Sequence, residues 1–160
     1  MKLAIASDHR GFKLKAGIIR FLRSKRISVL DFGCLREDSC DYPDYILRAA
    51  EALSRKRAQR AIGICYTGIG SAIAANKVKG VRAALAQNLR QARLSRAHND
   101  SNMLILGAGF VRPAQAKKMV ETWLKTPFEG GRHLRRIRKI SAYENTSSRG
   151  GGHAHRVSKS

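Results

Sequence analysis

The sequence predicts an α/β fold, a three-layer α/β/α sandwich around a five-stranded parallel sheet. Three observations carry that expectation. Short apolar runs of strand length alternate five times with longer stretches of helical periodicity. The apolar runs suit strands covered on both faces, as buried parallel sheets are. And 160 residues, 43% of them hydrophobic, suffice for one domain that buries roughly two-thirds of its unfolded surface.

The elements follow in order. Residues Lys2–Ser7 form a first strand, and Phe12–Lys25 a helix with Leu14, Ile18, Phe21 and Leu22 inward. Ser28–Phe32 is a second strand, followed by a loop from Gly33 and a helix over Tyr45–Arg57. Ala61–Cys65 is a third strand, leading through a glycine turn into a helix that ends near Val78. Val81–Ala86 and Leu89–Ala97 make the fourth strand and helix, and Met103–Leu106 the fifth strand. Pro113–Lys125 opens with proline in a helix's first turn. A last helix spans Leu134–Tyr143. The domain ends at residue 144, and Asn145–Ser160, rich in glycine and serine, has too little to bury and reads as a disordered tail. The sheet is Rossmann-like, and ligands bind such sheets beyond the carboxyl ends of the strands, where strand order reverses.

Composition narrows the function. No apolar run reaches the length of a membrane span, and Asp8 and His9 interrupt any leader-like start, so a soluble, cytoplasmic protein is expected. Three cysteines, an odd number, read as reduced thiols. The net charge of +21 is the outlier, and residues 141–160 contribute only +2 of it. A body this basic attracts phosphorylated metabolites or, non-specifically, nucleic acid.

The chemistry concentrates between Ala61 and Lys77. Cys65 ends a buried strand, and Gly68-Ile69-Gly70 turns the chain into the next helix. Backbone N–H groups in such turns bind anions and favour a thiolate. A dinucleotide role is disfavoured, because Ile73 occupies the third glycine position and the turn follows the third strand. Cys34 and Cys40 have no neighbouring histidine in sequence and do not supply a zinc set, so no metal is expected. Asp8 and His9 end the first strand. If the first and third strands are neighbours, they share a crevice with Cys65. His98 closes a helix, and Arg132 and Arg136 lie four apart on one helical face, the spacing of a guanidinium clamp. Each has a plainer reading: a buried small hydrophobe, a helix cap, a solvated helix face.

Together, Ser7–Gly11, Asp41–Tyr45, Cys65–Gly70, Ala72–Arg82, His98–Asp100 and Phe128–His133 resemble ribose-5-phosphate isomerases of the B type, within the ribose/galactose isomerase family. The resemblance implies an aldose–ketose isomerase that interconverts ribose 5-phosphate and ribulose 5-phosphate through an enediolate, without metal or organic cofactor. It implies Cys65 as base, Thr67 as proton relay, His98 as the acid that opens the furanose ring, and Asp8 facing the sugar hydroxyls. Tyr42, Tyr66, Gly68, Ile69, Gly70 and Asn99 would line the pocket, and His9, Arg132 and Arg136 would hold the phosphate. It further implies a homodimer, or a tetramer, with the site shared between protomers. Tyr66 stands where the family usually has glycine, Arg10 replaces a small residue, and Gly109 lies where many members carry arginine. Arg10 is expected to restore the missing positive charge. A six-carbon aldose phosphate substrate and a non-catalytic, nucleic-acid-binding relative are the alternatives.

Overall fold

The structure, a computed structural model, describes residues 1–147. Five strands, β1 (Lys2–Ser7), β2 (Ser28–Asp31), β3 (Arg60–Cys65), β4 (Ala83–Leu85) and β5 (Met103–Gly107), form one parallel sheet in the order β2-β1-β3-β5-β4. The direction of winding reverses between β1 and β3, which pair from Leu3 with Arg60 to Ser7 with Ile64. That reversal opens a crevice at the carboxyl edge.

Alternate residues of each strand face opposite layers. Leu3, Ile5, Ile62, Ile64, Leu104 and Leu106 pack against α1 (Phe12–Ser24) and α5 (Pro113–Lys125), with Ala92 of α4 (Leu89–Asn99) in the same cluster. The opposite face is built of smaller residues, Ala4, Ala6 and Ala61, which let α2 (Tyr42–Ser54) and α3 (Ile69–Ala75) approach closely. A sixth helix, α6 (Gly131–Ser147), lies outside these layers and touches α4. Its Ile137 is buried, while Ile140 and Tyr143 are exposed.

Several boundaries differ from the sequence expectation, each for a local reason. The second helix begins at Tyr42 rather than Tyr45, with Asp41 at the cap position and Pro43 in the first turn. The third stops at Ala75, because the Asn76 side chain turns out to pair with β4, accepting from Ala83 N and donating to Ala83 O. β4 is an edge strand of three residues, shorter than the predicted Val81–Ala86. The fourth helix continues through His98 and Asn99. The last runs from Gly131 to Ser147, so Asn145–Ser147 are helical and not part of a disordered tail. Glu144 accepts a hydrogen bond from Gly80 N (2.9 Å), which ties the helix down beyond Tyr143. The rest of the predicted tail lies outside the described residues. Among the described residues no helix is long and apolar enough to cross a membrane.

Two buried polar contacts brace the core. Lys15, 1% exposed, reaches Asp31 (2.6 Å) and Cys34 O (2.7 Å), fixing the loop after β2 against α1. Trp123 is fully buried and donates to Ser101 Oγ (2.8 Å). Trp123→Ala is expected to cost about 3–5 kcal/mol through cavity formation, measured by urea unfolding.

Candidate active site

At the carboxyl edge the ends of β1 and β3 carry the first group of candidate residues. Cys65, the last residue of β3, is 4% exposed, and its sulfur accepts the Gly68 N–H at 3.1 Å. The sulfur therefore faces the turn rather than the hydrocarbon core. Gly68 makes this possible with φ +81°, a left-handed conformation that other residues adopt only with strain. Thr67 Oγ1 accepts from Ile69 N (3.2 Å), which braces the turn and directs the Thr67 hydroxyl proton elsewhere. The Tyr42 ring and hydroxyl cover Gly70 so closely that a Cβ there would collide with them.

Asp8 follows β1, is 6% exposed, and accepts the Gly11 N–H on Oδ1 (2.8 Å). It braces the turn before α1 and is not the helix cap, which is Gly11 without a side-chain cap, and its Oδ2 is not used in that contact. His9 Nδ1 lies 3.2 Å from both the amide N and the carbonyl O of Cys40. It can accept from the amide when neutral and donate to the carbonyl when charged, so Nε2 is the ring nitrogen for a ligand. Burial and the neighbouring Cys40 push the Cys34 thiol up, which keeps it protonated. All three cysteines are free thiols.

The remaining candidates lie elsewhere, and His98 does not join His9 at the strand carboxyl ends. α4 descends from the end of β4, so His98 and Asn99 sit beside the starts of β3 and β5, at the amino edge. Arg82, just before β4, donates to the carbonyls of Asn99 and Asp100 there. α6 begins at the same edge, with Glu129 N bonded to Ala97 O and the His133 ring stacked on that of His98 (4.2 Å, 7°). Arg132 and Arg136 belong to this helix. With burial, these arginines and His98 push the His133 imidazole below its ordinary value. From Ala61 to Cys65 alone the strand spans about 13 Å. One chain therefore brings together Asp8, His9, Tyr42, Cys65, Tyr66, Thr67, Gly68, Ile69 and Gly70, and separately His98, Asn99, Arg132 and Arg136.

The amino edge is strongly cationic. Arg82 and Arg96 both bond Asp100 (2.7 and 2.6 Å), and Arg60 is held below its ordinary value by burial and by Arg96. A groove of about 720 Å³ runs beside it, lined by Lys77, Arg82, Asn99, Ile137, Ile140 and Tyr143. Sequence reasoning missed Glu129 and His133 as neighbours of His98. Glu129 stands just before α6, set off from His133 by Gly130 and Gly131 at positive φ, so no helical spacing in the sequence pointed to the pair.

The family model described as Ribose/Galactose Isomerase matches residues 3–140. The chain belongs to the ribose/galactose isomerase family. A probable ribose-5-phosphate isomerase B of Mycoplasma pneumoniae is 43% identical over 141 residues, covering 88% of this chain and 93% of that protein. The crystallised ribose-5-phosphate isomerase B of Clostridium thermocellum superposes with TM-score 0.90 at 48% identity, over 92% of this chain and 99% of the other. That of Mycoplasma genitalium, solved with bound ribulose-5-phosphate, gives 0.87 at 42% identity, over 90% and 96%.

Arg10, Tyr66 and Gly109, singled out in the sequence, meet in one contact. Arg10 lies over the Tyr66 ring (5.3 Å to its centroid), and Tyr66 meets Phe110 edge-on (6.2 Å). A Cβ on Gly109 would strike the Tyr66 ring. Tyr66 thus fills the space that a side chain at position 109 would take. Gly109→Ala is expected to rotate Tyr66 away and break its stacking on Arg10, visible in a crystal structure of the variant. Because Tyr66 and Phe110 are exposed, stability should change by less than about 1 kcal/mol.

Proposed function

We propose that the chain is an aldose–ketose isomerase interconverting D-ribose 5-phosphate and D-ribulose 5-phosphate through an enediolate. The observation that carries the reaction type is the Cys65 sulfur held by a backbone N–H at the β1/β3 crevice. The choice of sugar is supported by the Mycoplasma genitalium relative, which binds ribulose-5-phosphate.

The residues divide the work as follows. The Cys65 thiolate, stabilised by the Gly68 N–H, takes the proton beside the carbonyl and returns it to the neighbouring carbon. With the Gly68 and Ile69 amides committed to Cys65 Sγ and Thr67 Oγ1, the other amides of the Thr67–Ser71 turn meet the enediolate oxygens, where negative charge develops. Thr67 Oγ1, already accepting from Ile69 N, offers its hydroxyl proton to those oxygens and relays it between them. Asp8 Oδ2 and Tyr42 face sugar hydroxyls. Only protons move, so this chemistry needs neither a redox cofactor nor a metal.

Ring opening needs an acid, and phosphate needs cations. His98 supplies the first, with Asn99 beside it, while Arg132 and Arg136 join His9 for the second. In one chain these groups stand at the far edge of the sheet from Cys65. The reading therefore requires a homodimer in which a second copy brings its amino edge to this crevice. The exposed Ile140 and Tyr143 of α6 give that edge apolar surface to bury. Arg10, held on Tyr66, adds a cation at the mouth of the site, and the Tyr66 ring narrows that mouth towards five-carbon sugars. The fold and small-molecule site leave the high positive charge as an attraction for phosphorylated metabolites, with cytoplasmic work the natural setting.

Cys65→Ala is expected to lower kcat by about 10³-fold, with the circular dichroism spectrum unchanged, in a coupled assay with ribose 5-phosphate. Faster turnover of allose 6-phosphate by the unmodified protein would overturn the five-carbon assignment. Cys65→Ala and His98→Gln, each inactive alone, should recover about a quarter of normal activity after mixing and reassociation, since half the dimers then hold one intact site. No recovery from a confirmed mixed dimer would refute the shared site.

A further inference from the structure

The amino edge holds a three-residue cluster of which the isomerase chemistry uses only His98. Glu129 Oε2 lies 3.5 Å from His98 Nε2 and 3.9 Å from His133 Nε2, and the three donor atoms all fall within 4.8 Å of one another. Both separations are longer than a hydrogen bond, whose range ends near 3.2 Å. They are close to the spacing of ligands around a tetrahedral ion. Zn–N and Zn–O bonds of about 2.0–2.1 Å set ligand atoms about 3.3 Å apart, within roughly 0.6 Å of the two carboxylate–imidazole separations.

We propose that His98, Glu129 and His133 form a binding site for a divalent transition-metal ion of the zinc type, and that occupancy inhibits the enzyme. Two imidazoles and one carboxylate are the donor set that zinc, cobalt and nickel accept, whereas magnesium and calcium select oxygen-rich sites. Three protein ligands leave a fourth position for water or a sugar hydroxyl. The stacked rings point their lone pairs side by side, and one must tilt to converge on an ion. His98, 36% exposed at a helix end, is the one free to do so, whereas the His133 side chain is 10% exposed. Glu129, half exposed, swings with little cost. Arg132 and Arg136 nearby oppose a cation, which makes the site one for reversible occupancy rather than a permanent structural ion.

Inhibition follows because an imidazole bound to metal through Nε2 cannot pass a proton to the sugar ring. That consequence rests on the role given to His98 in the isomerase reading. The site itself does not.

The test uses full-length protein carrying His153→Ala and His155→Ala, which removes two further histidines, stripped by chelator. Titration with Co²⁺ should give visible d–d absorption that saturates at one ion per chain and is displaced by Zn²⁺. Glu129→Gln and His133→Gln should each weaken Co²⁺ binding by about tenfold or more. The concentration of Zn²⁺ that halves each variant's own isomerase activity should rise by the same factor, and chelator should restore the rate. Glu129→Gln alters a half-exposed group and keeps the test valid if His133→Gln misfolds. Unchanged Co²⁺ binding in a folded variant overturns the site, as does a near-ultraviolet thiolate band that Cys34→Ser, Cys40→Ser or Cys65→Ser abolishes. Zn²⁺ inhibition equally strong in Glu129→Gln overturns the inhibitory role. A protein without isomerase activity would sink the functional reading while the Co²⁺ titration still judges the site.

Discussion

A parallel sheet sends every strand in the same direction, and each connecting helix must return the chain to the starting edge. That constraint governs this molecule. Loops leaving the strands collect Asp8, His9, Cys65 and the glycine turn at one edge, while helix ends collect His98, Asn99 and the first turn of α6 at the other. Loop flexibility cannot close the gap, because the intervening sheet is a packed core with apolar residues fully buried on both faces. The isomerase reaction proposed above draws on both groups, and it is that proposal which calls for a second copy to bring its amino edge to the crevice.

Within the carboxyl edge, order comes from backbone groups more than from side-chain pairs. The loop after β2 is pinned by Lys15 to Cys34 O and by reciprocal amide contacts between Ser7 and the Gly33–Cys34 segment. That loop supplies the Cys40 backbone that orients His9. The turn after β3 likewise spends one amide on the Cys65 sulfur and another on Thr67 Oγ1. Donors fixed this way need no rearrangement when charge develops, which is the physical basis of electrostatic preorganisation.

The unusual residues at positions 10, 66 and 109 are coupled through packing. An aromatic ring at 66 occupies the volume beside position 109 and offers its face to the guanidinium of Arg10. In sequence they are three separate positions. In space they are one contact: the Tyr66 ring lies against Gly109 and under the guanidinium of Arg10, which comes from the turn after β1.

Strand count, the helix–strand alternation and the Cys65 turn were legible in the sequence because each is written in contiguous residues: an apolar run, a 3.6-residue periodicity, a glycine where φ must be positive. Most element ends were legible to within a few residues. The clear misses differ in cause: α2 starts where Asp41 and Pro43 place it, α3 ends where Asn76 turns to Ala83 seven residues on, and the reach of α6 depends on Gly80, far away in sequence. The family blocks named the site residues but not their arrangement. Only the tertiary structure decided that these residues fall into two sets at opposite edges, that Glu129 and His133 gather around His98, and that Tyr66 excludes a side chain at 109. Local sequence dictates local geometry, whereas strand order and helix return are global properties of how the layers pack.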